Sequence, residues 1–200
     1  MKYGLAGLII GALAVWGFTN FVGPNKTNIV GSSNQQVSSN SLDAHFIEQM
    51  IPHHEDAITM AKLAQTKAQR AEVKQMAQNI IDSQGKEIDQ MKSWYKDWFG
   101  RDLPTGNEVM NQHGMMENNS GMHMGTRGDD SDMVKLEQAT DFDIAFVEHM
   151  IPHHQMAVMM ASMLKGGTQR PEMKKLADDI VSAQTSEIDQ MRNWLKEWDK

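Results

Sequence analysis

No cysteine occurs among the 200 residues of this chain. Disulfides, thiolate nucleophiles and Cys-based zinc knuckles are therefore excluded. Basic clusters are missing too: the formal net charge is -7 at pH 7, and gripping a nucleic-acid backbone needs a clustered basic face. Nucleic acid is not expected as a partner, whereas cations suit a field of this sign. There is no Ser/His/Asp series in an elbow context, no phosphate-cradling glycine loop and no His-Glu-x-x-His motif. Glu-x-x-His, which di-iron bundles place on core helices, is absent from the histidine-bearing segments. No catalytic residue is identified, and the chain does not read as an enzyme.

Against these absences stands an excess of methionine, 18 residues, several times ordinary usage. The methionines gather around histidines. "HMIPHHQMAVMMA", from His149 to Ala161, follows "QMIPHHEDAITMA", from Gln49 to Ala61. Sliding the segment from Leu42 to Phe99 over that from Phe142 to Asp199 needs no gap and leaves roughly 26 identities in about 58 positions. The chain carries an internal repeat. Each copy, of about 60 residues, is small for a domain alone, so the two are expected to share one core.

Five segments follow. Residues 1–24 contain "GLAGLIIGALAVWGFTNFV" behind Lys2, an uncharged apolar run near the length that crosses a bilayer. It is expected to be a membrane anchor or a cleaved export signal, and either places the remainder in the periplasm or elsewhere outside the cytoplasm. Residues 25–41, rich in Ser, Asn and Gln, are expected to form a flexible tether. Residues 42–100 and 141–200 are the two repeats, each a helical hairpin, and 101–140 is a Met/His-rich connector.

Within each repeat, Asp43 and Asp143 are expected helix caps. The first helices run to about Gln65 and Leu164, where Gly166-Gly167 breaks the second copy. Pro52 and Pro152 sit inside these helices, as a kink or as the true helix start. Gln84, Glu87, Ile88, Met91, Tyr95 and Trp98 share a stripe on the second helix, as do their counterparts. Two hairpins joined by a connector predict an all-α, four-helix bundle with pseudo-twofold symmetry. Two hairpins that each dimerise with another chain are the alternative.

His149, His153, Met156, Met160 and Met163 recur at steps of four, three, four and three along one side of a helix. The first copy has fewer sulfurs there, His53 and Met60 among Gln49, Asp56 and Leu63. Thioether mixed with imidazole favours Cu(I), with Ag(I) as its mimic, over hard cations. Met76, Met91, Met173 and Met191 read as core instead. In the connector, Met110, His113, Met115, Met116, Met122, His123 and Met124 have no core to pack, and read as a flexible chelating arm. Glu87 and Glu187 either orient a histidine or belong to a buried polar network.

The repeated F-[IV]-E-x-M-I-P-H-H, followed by alanines and methionines and then by E-I-D-Q-M-[KR]-x-W, resembles the signature of the bacterial domain-of-unknown-function family 305. The resemblance covers both repeats. It implies a ferritin-like four-helix bundle that binds copper outside the cytoplasm, with Met50, His53 and His54 in the first copy and Met150, His153 and His154 in the second as candidate ligands. His149 is matched by Gln49, so the two copies are not equivalent.

The expected function is that of an exported copper-binding protein. It sequesters Cu(I), and Cu(II) at histidine-rich positions, in copper resistance and homeostasis, or chaperones the ion to an efflux system or sensor. A copper-dependent redox enzyme and a metal-free structural bundle are the alternatives.

Overall fold

The computed structural model describes residues 32–104 and 130–199, and among these it is all-α. Five helices are present among the described residues: α1 (Ser32–Lys67), α2 (Ala71–Phe99), α3 (Asp130–Glu137), α4 (Phe142–Gly167) and α5 (Pro171–Trp198). Helices α1 and α2 pair through residues 68–70, α4 and α5 through residues 168–170, and α1 packs on α4.

The pairing helices are amphipathic by composition. In α2, Val73, Met76, Ala77, Ile80, Gln84, Ile88, Met91 and Tyr95 are buried, recurring at helical spacing along one face. Met173, Leu176, Ala177, Ile180, Gln184, Ile188, Met191 and Trp194 do the same in α5. Pro171 occupies the first turn of α5, where its missing N–H costs nothing. Gly100 ends α2 in the left-handed conformation (φ 64°), its N–H reaching Lys96 O. Pro52 and Pro152 lie inside α1 and α4, which continue on both sides of them.

Several sequence expectations need correction. Residues 32–41, expected in a tether, form the first turns of α1. Tertiary contacts override their weak helix propensity: Gln169 N–H donates to Ser39 Oγ at 3.0 Å, and Arg170 Nη2 to Asn40 Oδ1 at 3.0 Å. Neither Asp43 nor Asp143 is a cap. Asp43 lies well inside α1, and the cap of α4 is Asp141, which accepts from Ile144 N at 3.1 Å. Gly166 and Gly167 belong to the last turn of α4. A side chain at 167 would put its Cβ 2.5 Å from Leu42 Cδ2, so glycine there permits the close approach of α1. Part of the connector, Asp130–Glu137, is helical, with Leu136 fully buried.

Asp43 and Asp143 instead tie the two halves together. Arg70 donates to Asp143 Oδ2 at 3.0 Å and lies over the Trp198 ring at 4.2 Å. Arg170 pairs with Asp43 Oδ2 at 3.1 Å and lies over the Trp98 ring at 4.2 Å. Each arginine thus takes a carboxylate and an aromatic ring from the other repeat, and the two clasps are related by the offset between the repeats. They are not identical, because Asp143 also accepts from the backbone N–H groups of Gln69 and Arg70. Burial pushes the Asp43 carboxyl up, and Thr168 and Arg170 beside it offset this in part.

The core has two apolar layers. One gathers Met60, Met76, Met150 and Met191 with Phe142, Phe146 and Ile80. The other gathers Met50, Met91, Met160 and Met173 with Phe46, Tyr95 and Ile180. Each layer draws on both repeats. No helix among the described residues is long and apolar enough to cross a membrane. The expected anchor or signal at residues 1–24 lies outside the described residues.

Candidate metal site

Between the two layers the chain places polar groups where both cores would otherwise be continuous. On α1, His53 and His54 fall between Ile51 of one layer and Ala57 of the other; on α4, His153 and His154 fall between Met150 and Ala157. Gln84 and Gln184, each 3% exposed, occupy the same level of α2 and α5. Three or four residues per turn put one histidine of each pair toward the opposite repeat and the other toward its own hairpin partner.

His53 and His153 face each other across the α1–α4 contact, ring centroids 3.7 Å apart and planes at 37°. Burial pushes the His53 pKa down to about 3, and the neighbouring His54 and His154 add to the effect. His153 is held well below the ordinary histidine value, again first by burial and then by the surrounding imidazoles. Both rings are neutral at physiological pH, so each has one ring nitrogen with an available lone pair.

His54 and His154 turn to their own hairpins. His54 Nε2 lies 2.6 Å from Glu87 Oε2, and His154 Nε2 lies 2.7 Å from Glu187 Oε2. An ionised carboxylate only accepts, so Nε2 carries the proton and, in a neutral ring, Nδ1 presents its lone pair. Glu87 and Glu187 are about one-fifth exposed and link the buried rings to solvent.

Five imidazole nitrogens in this belt lack hydrogen-bond partners: Nδ1 of His53, His54 and His154, and both ring nitrogens of His153. The side-chain oxygens of Gln84 and Gln184 are equally unpartnered. A buried polar group left unpaired costs about 1–3 kcal/mol. A carboxylate that fixes one nitrogen and orients the other is the arrangement found behind metal-ligating histidines. The donor chemistry therefore fits a borderline or soft ion. No three His, Asp or Glu side chains among the described residues converge on a single point, however.

The remaining sequence candidates are dispersed. Met50 and Met150 are fully buried, Met60 and Met160 are 8% and 9% exposed, and all four lie in the apolar layers beside Met76, Met91, Met173 and Met191. The row from His149 to Met163 does not form one site: its helical length is about 21 Å, Met160 is buried and Met163 is 63% exposed. His149 Nδ1 bonds to Ala145 O of its own helix at 2.8 Å, and Met156 is half-buried against the second layer. Met110, His113, Met115, Met116, Met122, His123 and Met124 lie outside the described residues. Sequence reasoning gave Gln84 and Gln184 no role, although a glutamine repeated in an apolar stripe was the available signal.

A family model described as Domain of unknown function (DUF305) matches residues 43–195. CopM, solved in its Cu(I)-bound form, is 47% identical with a TM-score of 0.64, over 78% of this chain and 96% of that one. Its Cu(II)-bound form superposes with a TM-score of 0.66, and an Ag-bound form with 0.63. A DUF305 protein from Streptomyces coelicolor, provisionally assigned as secreted, is 25% identical with a TM-score of 0.63, over 78% of this chain and 93% of that one. An uncharacterized protein of Acanthamoeba polyphaga mimivirus is 40% identical over 60 residues, which are 30% of this chain and 40% of that relative's length.

Proposed function

Because this chain belongs to the DUF305 family, we propose that it is a copper-binding protein acting outside the cytoplasm, with copper as its cargo. The two hairpins form a ferritin-like four-helix bundle, and the histidine belt at its middle takes up the ion. The observation that carries this reading is the set of unpartnered nitrogens on the buried His53, His54 and His154 and the half-buried His153, two of them oriented by Glu87 and Glu187. Neutral imidazoles accept Cu(I) or Cu(II). The thioethers of Met50 and Met150, one turn away on the same helices, add soft donors on local rearrangement. The protein sequesters the ion or passes it to an efflux system or sensor, and makes or breaks no covalent bond of a substrate.

The solved copper- and silver-bound forms of CopM support this reading. A metal-free structural bundle is the competing reading, favoured by the packing of Met50, Met60, Met150 and Met160 in apolar layers. Anaerobic Cu(I) titration of the full chain against a competing chelator, with Zn(II) as control, separates the two. Copper binding that weakens in a His53→Leu/His153→Leu variant supports the belt. Absence of binding, with stability indifferent to copper, supports the structural reading.

A further inference from the structure

The second copy carries solvent-facing sulfur that the first copy lacks. Met156, Met159 and Met163 of α4 follow at steps of three and four, which line them along one side of the helix within about 10 Å of its axis length. Met159 is 40% and Met163 63% exposed, and Met156 is half-buried. At the corresponding positions of α1 stand Asp56, Thr59 and Leu63. The same level of the fold is therefore built without methionine in the other repeat, and core packing does not account for the exposed Met159 and Met163. The exposed thioethers of Met159 and Met163 gain little from burial, and with the half-buried Met156 they place three neutral, polarizable donors within two turns, whose flexible side chains can converge. His149 stands two turns before Met156 and lies outside this set.

We propose that Met156, Met159 and Met163 form a second binding site, on the surface of α4, for a soft monovalent cation. It is an all-thioether site for Cu(I), beginning one turn beyond His153 of the histidine belt and reached from solvent at Met159 and Met163. The inference rests on the reading of copper as cargo, and adds to it a point of first capture. Thioethers do not take up protons in the ordinary pH range, so uptake at this site is expected to be the same at pH 7 and pH 4.5.

The test uses the full chain with carbon-labelled methionine methyl groups, titrated anaerobically with Cu(I) at pH 7 and pH 4.5, and a variant carrying the first copy's residues, Met156→Asp/Met159→Thr/Met163→Leu. Shifts of the Met156, Met159 and Met163 methyl signals at both pH values, with Cu(I) uptake lower by about one equivalent in the variant, support the site. Shifts confined to other methionines or to histidines overturn it and leave the belt reading standing. No shift at any methionine or histidine overturns both. Retained fold in the variant is read from its helical circular dichroism.

Discussion

His53 and His153 face each other with ring centroids 3.7 Å apart and planes tilted by 37° at the contact of α1 and α4, each at the other's position in the repeat. Two protonated imidazoles could not share that space, and burial keeps both neutral. The first consequence is acid sensitivity. An unfolded histidine takes its proton near pH 6.5, and His53 in the fold only near pH 3. Between these values the unfolded state binds more protons, so stability falls as pH falls and is level above about 6.5. Urea denaturation of metal-free protein is expected to show a loss from His53 on the order of 3 kcal/mol by pH 4.5. His53→Leu is expected to flatten this slope, and an unchanged slope would count against the buried neutral pair.

Glu87 and Glu187 hold the protons of His54 and His154. Changing Glu87→Ala or Glu187→Ala is expected to weaken copper binding about 10–100-fold, as loss of an orienting partner does. Glu87→Gln should retain part of the affinity because the amide still accepts a hydrogen bond. Competition titration measures both, and equal affinities for wild type and alanine variants would remove the orienting role.

The two clasps predict unequal losses. Arg170→Leu leaves Asp43, which is 0% exposed, without its cation, whereas Arg70→Leu leaves Asp143 with two backbone N–H donors. Removing one partner of a buried pair costs about 3–5 kcal/mol. Arg170→Leu is expected near that range and Arg70→Leu below it. Equilibrium urea unfolding ranks them, and the reverse order would contradict the contacts described.

Glycine positions separate space from propensity. A Cβ at Gly85 meets nothing within 4 Å, so Gly85→Ala in the middle of α2 is expected to stabilise by about 0.5–1 kcal/mol. Gly167→Ala must displace Leu42 and is expected to lose that gain. Thermal melts of the two variants give the comparison.

The helical pairs were legible because buried residues recur at helical spacing and the repeat doubles the signal: Ile80, Gln84, Ile88 and Met91 predict the same face as Ile180, Gln184, Ile188 and Met191. The roles of Asp43 and Asp143 were not legible. An aspartate before an apolar run reads as a cap, and only the approach of Arg170 and Arg70 from the other repeat makes it a clasp. The helical state of residues 32–41 was hidden for the same reason, since Ser39 and Asn40 act through contacts at residues 169 and 170. In the site, the adjacent histidines were evident, while the stripe left Glu87 and Glu187 either orienting a histidine or belonging to a buried polar network, and only the fold sets them against His54 and His154. The His53–His153 ring contact depends on how α1 crosses α4, which no local spacing states. Conversely, the ladder from His149 to Met163 was regular in sequence but divides between core and solvent.

The belt is tested most directly by nitrogen NMR of isotope-labelled imidazoles during titration of the full chain with Ag(I), a spectroscopically suitable mimic of Cu(I). The account predicts that the Nδ1 signals of His54 and His154 shift and split through coupling to silver, with changes at His53 and His153. Uptake of Ag(I) with all four belt imidazoles unchanged would contradict it.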